Sequence, residues 1–261
     1  RNLKPTPAMA RFIQHNRRVF PTIQTEADAP VVLMEFNEMH SSHIAYSYLA
    51  NALAQQANAR VVAYLPRALS TRWERLSFAI RSSLGLDTYG IYRSFGAVEF
   101  LTIAPDSQQC ARAAAMLPSV LQGLHSKSDL EALTIDGVWI GDLVYDTYLM
   151  RYRRPTVDVA SEEFRSFLLE SLECFVFWQD YIARHRIVGI NVSHCVYNLA
   201  MPLRLAVQRH IPVFQASLTH VYRLNRDELF AYNDFQHYRE RCAALPVAVR
   251  QAGLALARVP A

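Results

Sequence analysis

Continuous apolar runs alternate along this chain with segments of helical periodicity, the pattern of a mostly parallel sheet covered by helices on both faces. The first run, Val31-Val32-Leu33-Met34-Glu35-Phe36, ends in polar residues and reads as a strand. Ser41 or Ser42 can cap the helix that follows, where Ala45, Leu49, Ala52 and Leu53 recur at helical spacing through Ala57. Val61 to Leu65 reads as a second strand, stopped by Pro66. Together they form one βαβ unit, whose crossover is expected to be right-handed.

The pattern continues with a helix over Leu69 to Leu84 ended by Gly85, a strand over Val98 to Ile103, and a helix from Ser107 to Leu124 that Asp106 can cap. Thr134 to Asp158 has no clear period. Ser161 opens the strongest helix, with Glu162 and Glu163 in its first turn and Arg184, His185 and Arg186 at its end, charges that complement the helix dipole. Its apolar residues nearly encircle it, so it should be buried. A second βαβ unit follows: a strand over Ile187 to Val192, a helix from Val196 to Arg209 that contains Pro202, and a strand from Pro212 to Gln215. Beyond Ser217 only Ala244 to Leu256 looks regular, as a helix, and no internal repeat is visible. The organisation expected is a leader segment over 1–29 with one short helix around Met9 to Val19, a Rossmann-like domain over 30–232, and a C-terminal helical segment over 233–261.

With 261 residues, 51% of them hydrophobic, the chain can bury a substantial core. Eight glycines and 19% charged residues argue against disorder or low complexity. The net charge of +4 is mild and the arginines are scattered, which argues against nucleic acid as a partner. Three arginine groups, at 17–18, 151–154 and 184–186, could face acidic lipid or phosphate, although solvated helix ends explain them as well. Cys110, Cys174, Cys195 and Cys242 lack the close spacing of zinc or redox sites, which suggests a reducing compartment. The most apolar stretch, Phe164 to Ile182, holds Glu170, Glu173 and Asp180 and cannot cross a bilayer cheaply. No secretory signal opens the sequence, and a start at Arg1 suggests an excerpt of a longer product.

In an open parallel sheet, ligands sit beyond the carboxyl ends of the strands. Two of those ends are rich in polar groups here: Glu35 through Glu38, His40, Ser41, Ser42 and His43 after the first strand, and Ser193-His194-Cys195-Val196-Tyr197-Asn198 after the Ile187 strand. A histidine there can act as a general base toward a hydroxyl, because its pKa lies near neutrality and nearby helix amides favour the neutral ring. His194 and His40 are the candidate catalytic histidines, with Glu35, Glu38, Asp142 or Asp146 as alternative bases or as groups that orient the imidazole. Helix capping or packing remains the plainer reading of each histidine alone. His40 and His43 with Glu35 or Glu38 offer no third ligand fixed by spacing, so no metal is expected. Neither a GxGxxG after the first strand, nor a GxxxxGK[ST], nor a GxSxG occurs, which argues against classical dinucleotide, P-loop and hydrolase sites. Tyr145, Tyr148 and Tyr152 have helical spacing, and packing is their default reading.

The stretch from Ser193-His194 through Met201-Pro202-Leu203-Arg204 to Ile211-Pro212-Val213 resembles the penultimate strand, helix and strand of the N-terminal domain of GT-B glycosyltransferases, and Val31 to Pro66 is similar to that domain's first βαβ unit. Glu35 to Tyr48, Ile140 to Asp146 and Ser193 to Asn198 resemble bacterial capsule and surface polysaccharide biosynthesis proteins. The resemblance implies the acceptor-binding half of a sugar-transferring enzyme at the cytoplasmic side, peripheral at the inner membrane. A glycan or lipid-linked glycan would be the acceptor. The donor would be a nucleotide sugar held by a second domain, because fewer than 50 residues follow Gln215, and no tightly bound cofactor is implied. His194, His40 and Glu35 would be catalytic, and His43, Ser41, Asp142, Tyr145, Asp146, Ser193, Tyr197 and Asn198 would bind substrate. A sugar-nucleotide epimerase of the same fold, or a noncatalytic scaffolding domain in capsule assembly, are the alternatives.

Overall fold

The computed structural model describes residues 6–20, 23, 26–36, 44, 46–69, 71–217, 220–230 and 238–257. Among them, six strands form one sheet in the order β3-β2-β1-β6-β7-β8. These are β1 (Val31–Glu35), β2 (Arg60–Ala68), β3 (Ala97–Ile103), β6 (Ile187–Val192), β7 (Val213–Ala216) and β8 (Val221–Leu224). All neighbouring pairs run parallel except β7 and β8. A small antiparallel hairpin, β4 (Thr134–Ile135) with β5 (Val138–Trp139), stands apart from the sheet. The architecture is the Rossmann-like α/β sheet that the alternating runs predict.

Helices cover both faces. One face carries α5 (Ser107–Gln122), α7 (Gly141–Tyr152), α8 (Glu162–Arg184) and α9 (Met201–Gln208), packed on Val31, Leu33, Val62, Ile190, Val192 and Val213. The other carries α2 (Tyr48–Ala57), α3 (Arg72–Leu84) and α4 (Thr88–Ser94), packed on Val32, Met34, Val61 and Ala63. The period of two along β1 thus puts Val31, Leu33 and Glu35 on the α8 side. The helix expected in the first 29 residues is α1 (Pro7–Val19); it docks on α4, with Asn16 Nδ2 donating to Ser94 Oγ at 3.0 Å and the Phe12 ring edge-on to Phe95. Between α5 and β4 lies the short α6 (Lys127–Glu131), and the described chain ends in α10 (Tyr238–Ala244) and α11 (Val247–Ala257).

Several boundaries differ from the sequence pattern, each for a physical reason. Strand β2 runs through Pro66 to Ala68, because β1 stops pairing at Glu35↔Tyr64 and the missing proline N–H falls where the ladder with β3 is already irregular. The segment without a clear period holds the hairpin and α7. The helix expected from Val196 begins only at Met201, with Pro202 in its first turn, where its missing N–H costs nothing. The helix expected from Ala244 starts only at Val247, after Pro246, and a further short helix over Tyr238–Ala244 precedes it. No helix among the described residues is long and apolar enough to cross a membrane.

Gly141 opens α7 at a point of close approach. A Cβ there would lie 2.0 Å from Leu130 O, 2.6 Å from Leu133 N and 2.7 Å from Glu131 O. All three atoms are backbone and cannot rotate aside. Gly141→Ala should therefore lower folding stability by about 3 kcal/mol or more, the upper range for overpacking, and a urea titration showing an unchanged midpoint would contradict this packing.

Candidate active site at the switch point

Strands β1 and β6 are neighbours in the sheet, although β2 follows β1 and β7 follows β6 in the chain. Their carboxyl ends therefore flank the point where strand order reverses, the usual ligand crevice of such sheets. Glu35 ends β1 and Ser193-His194 follow β6 directly. The Glu35 side chain is only 1% exposed, yet its oxygens are fully engaged. Oε2 accepts from the Ser193 and His194 backbone N–H groups at 2.7 and 3.0 Å, and Oε1 lies 2.7 Å from His194 Nδ1.

A carboxylate that already takes two amide protons is an acceptor, so the Nδ1 proton points at Glu35 and Nε2 is the basic nitrogen of the neutral ring. Ser193 Oγ lies 3.2 Å from the same Nδ1. It approaches the nitrogen that faces the carboxylate, which is not the arrangement of a serine nucleophile activated by its histidine. The His194 side chain is 27% exposed.

The hydrogen bond to Glu35 raises the His194 pKa from its ordinary 6.5, against the opposing effect of burial and with the help of the carboxylate charge. This corrects the expectation that helix amides hold the ring neutral. No regular helix starts at His194; residues 193–197 form a loop and only a 3₁₀ turn, Asn198–Ala200, precedes α9. With the folded-state pKa raised, the contact contributes stability fully below the unfolded value of 6.5 and loses it as pH rises through the folded midpoint. Glu35→Gln should move that midpoint down, toward or below the ordinary imidazole value. Nitrogen-15 NMR of the His194 ring across a pH titration reads this, and an unmoved midpoint would show that Glu35 does not set it.

More polar groups line the same edge. Gln215, at the end of β7, donates from Nε2 to Ser193 O at 2.9 Å and accepts the Cys195 thiol proton at Oε1. Tyr64, paired with Glu35 across β1 and β2, is fully buried, and its hydroxyl has no hydrogen-bond partner among the described residues. Burial, and then the charge of Glu35, hold its pKa well above normal, so it stays protonated. Sequence reasoning missed both residues, although each is a polar side chain near the end of an apolar run.

From His194 the loop crosses the end of β1, and its 3₁₀ turn touches β2. Asn198 N donates to Thr147 Oγ1 of α7 at 2.7 Å, and Asn198 Nδ2 donates to Ser171 Oγ of α8 at 3.1 Å. Tyr197 sits at φ +61°, in the range that a non-glycine residue adopts only under strain. Tyr197 and Asn198 help to line a cavity of about 510 Å³ over the ends of β2 and β3, together with Ile103, Met150, Phe167 and Leu199. Asn198 Oδ1 is buried and without a hydrogen-bond partner among the described residues.

The structure thus brings Glu35, Ser193 and His194 together, with Tyr197 and Asn198 on the adjoining loop. Asp142, Tyr145 and Asp146 do not join them, contrary to the expectation of a single crevice. Asp142 binds the buried Arg204 of α9 through both carboxylate oxygens, at 3.2 and 2.6 Å. Tyr145 packs its ring under Lys127 Nζ at 5.0 Å, and burial, followed by Asp142 and Glu131, raises the Asp146 pKa. These partners belong to the packing of α6, α7 and α9. His40, Ser41 and His43 lie outside the described residues, as does Glu38. Among the described residues no group of three metal-ligating side chains gathers.

Fold and site together define an open, mostly parallel α/β sheet with a carboxylate–imidazole pair at its switch point. No family model matches the chain, and no curated protein matches it. Among solved structures it is similar to "structure of a CDPS from Fluoribacter dumoffii", with a TM-score of 0.38 and 12% identity over 76% of this chain and 89% of that one. That neighbour is a CDPS and not a glycosyltransferase. The sugar-transfer expectation is corrected accordingly, and with it the acceptor-domain, epimerase and capsule-scaffold readings. The strand–helix–strand pattern that carried the resemblance is shared by parallel α/β sheets in general, and a fold does not fix a function. A likeness at this TM-score carries no argument for the chemistry of this chain.

Proposed function

We propose that the chain is an enzyme in which His194, oriented by Glu35, exchanges a proton with a hydroxyl or amine of a ligand that binds at the switch point and extends into the adjoining cavity over the ends of β2 and β3. The supporting observation is the pair itself: a carboxylate with 1% exposure, held by two amides of the loop that carries the histidine. Such a carboxylate fixes ring orientation and tautomer and stabilises the imidazolium formed when Nε2 takes a proton. The mostly apolar wall of Ile103, Met150, Phe167 and Leu199 suits a ligand with an apolar body, and Asn198 Oδ1 is an acceptor for one N–H or O–H of it. Cys110, Cys174, Cys195 and Cys242 form no disulfide among the described residues, which fits work in a reducing, cytoplasmic compartment.

The test is to incubate the purified chain with a fractionated small-molecule extract and follow each compound by mass spectrometry, beside His194→Ala at equal folded concentration. Consumption of a compound by the wild type alone supports the reading. Equal consumption by both proteins contradicts it.

A further inference from the structure

Helix α3 leaves a coherent apolar stripe uncovered. Trp73 is 80% exposed, Leu76 50%, Ile80 46% and Leu84 69%. At spacings of three, four and four they share one side of the helix, while Phe78 on the opposite side packs against the core. Four large apolar side chains exposed in one row are not the scattered surface hydrophobics of an ordinary monomer.

The charge around the stripe has one sign. Segments 6–20 and 67–96, which hold α1, α3 and α4, carry eight arginines and two carboxylates, an excess greater than the +4 of the whole chain. Both carboxylates are engaged: Glu74 by Arg67 at 3.2 Å and Asp87 by Arg81 at 3.3 Å. Arg72 and Arg75 on α3, and Arg11, Arg17 and Arg18 on α1, are exposed. The two helices meet over Gly90, where a Cβ would lie 2.6 Å from Gly85 O, just beyond α3, and 3.2 Å from Ile13 Cδ1 of α1. The other two arginine groups of the sequence are partly spent within the fold, since Arg151 pairs with Glu170, Arg154 with Glu163 and Arg184 with Asp180.

We propose that α3 docks the protein on an anionic lipid bilayer, with Trp73, Leu76, Ile80 and Leu84 entering the interface and the arginines of α1 and α3 facing lipid phosphates. An apolar row ending in tryptophan and flanked by arginine is the chemistry of a helix lying in the plane of a bilayer surface. The basic surround favours negatively charged headgroups. This inference is independent of the catalytic reading and draws on none of its residues.

Co-sedimentation with vesicles tests it. The chain should bind phosphatidylcholine vesicles that contain phosphatidylglycerol, bind pure phosphatidylcholine much less, and release as salt rises. Trp73→Ser with Ile80→Ser should weaken binding to the anionic vesicles by about tenfold or more, the scale of two large side chains losing their burial. Both positions are exposed, so the variant should keep its circular dichroism spectrum and melting temperature. A Trp73→Phe variant identifies the residue through loss of the blue shift in emission on vesicle binding. Failure to bind the anionic vesicles, or undiminished binding by the folded double variant, would overturn the proposal. So would a self-associated form that the same substitutions dissolve while vesicles capture neither protein, which would make a second copy the occupant of the stripe.

Discussion

Asp142→Ala should cost about 3–5 kcal/mol of folding stability, the range for removing one partner of a buried ion pair. The reason lies in Arg204, whose side chain is 1% exposed. Its guanidinium lies against two aromatic rings set edge to face, 4.7 Å from the centroid of Trp139 and 5.1 Å from that of Phe230. It also donates to Trp139 O at 3.2 Å, but among the described residues Asp142 supplies its only carboxylate. Without that carboxylate a cation remains in a dry, aromatic setting with no counter-charge. The double variant Asp142→Ala with Arg204→Met should recover most of the loss, since removing both charges leaves nothing unpaired. Urea unfolding of the wild type and both variants measures this. A single variant within about 1 kcal/mol of wild type, the range of a surface pair, would show that the pair is not structural.

Asp142 also shows where reading the sequence stopped. Its position between Gly141 and Tyr145 suggested a place in the crevice, and nothing local announces a partner 62 residues away on α9. Long-range pairing of this kind becomes visible only once the helices are packed. By contrast, Glu35 and His194 could be placed from the sequence, because each ends a continuous apolar run and parallel strands share a carboxyl edge. That β1 and β6 are immediate neighbours was not legible; it follows from the reversal of strand order. Glu35 was one of four carboxylates that the sequence offered as bases or as orienting groups, and the sign of the resulting pKa shift was not legible, because the sequence suggested a helix start where the chain makes a loop.

For the fold, the five parallel strands were legible because each is a mostly apolar run; even β3, at the sheet edge and half-buried, interrupts its run only with Glu99 and Thr102. Strand β8, Val221–Leu224, was not, since it lies at the sheet edge with Val221 and Arg223 exposed. Helix α7 buries Gly141, Val144, Tyr145 and Tyr148 along one face, but a glycine and two tyrosines make that stripe only weakly apolar, and the buried Leu143 lies off it. Helix α4 is a single seven-residue element containing Gly90, too short to set a period.

His194→Ala should lower turnover by roughly 10² to 10⁴, the range for lost acid–base catalysis, while leaving the fold nearly intact. Its ring is partly exposed and bound to the Glu35 carboxylate, which keeps two backbone amides after the ring is gone. The loss should therefore fall on chemistry rather than on packing. Activity of the wild type should rise with pH through the raised His194 midpoint, as the ring gives up its proton and becomes a base. Glu35→Gln should shift that limb to lower pH, because the carboxylate no longer favours the imidazolium.

The pH profile of kcat/KM toward the compound consumed in the extract, taken for wild type, Glu35→Gln and His194→Ala beside their melting temperatures, tests this account most directly. The expected result is a folded His194→Ala protein with turnover lowered by roughly 10² to 10⁴ and a Glu35→Gln profile displaced to lower pH. A His194→Ala protein that is destabilised, yet turns over the compound at the wild-type rate in its folded fraction, would contradict it.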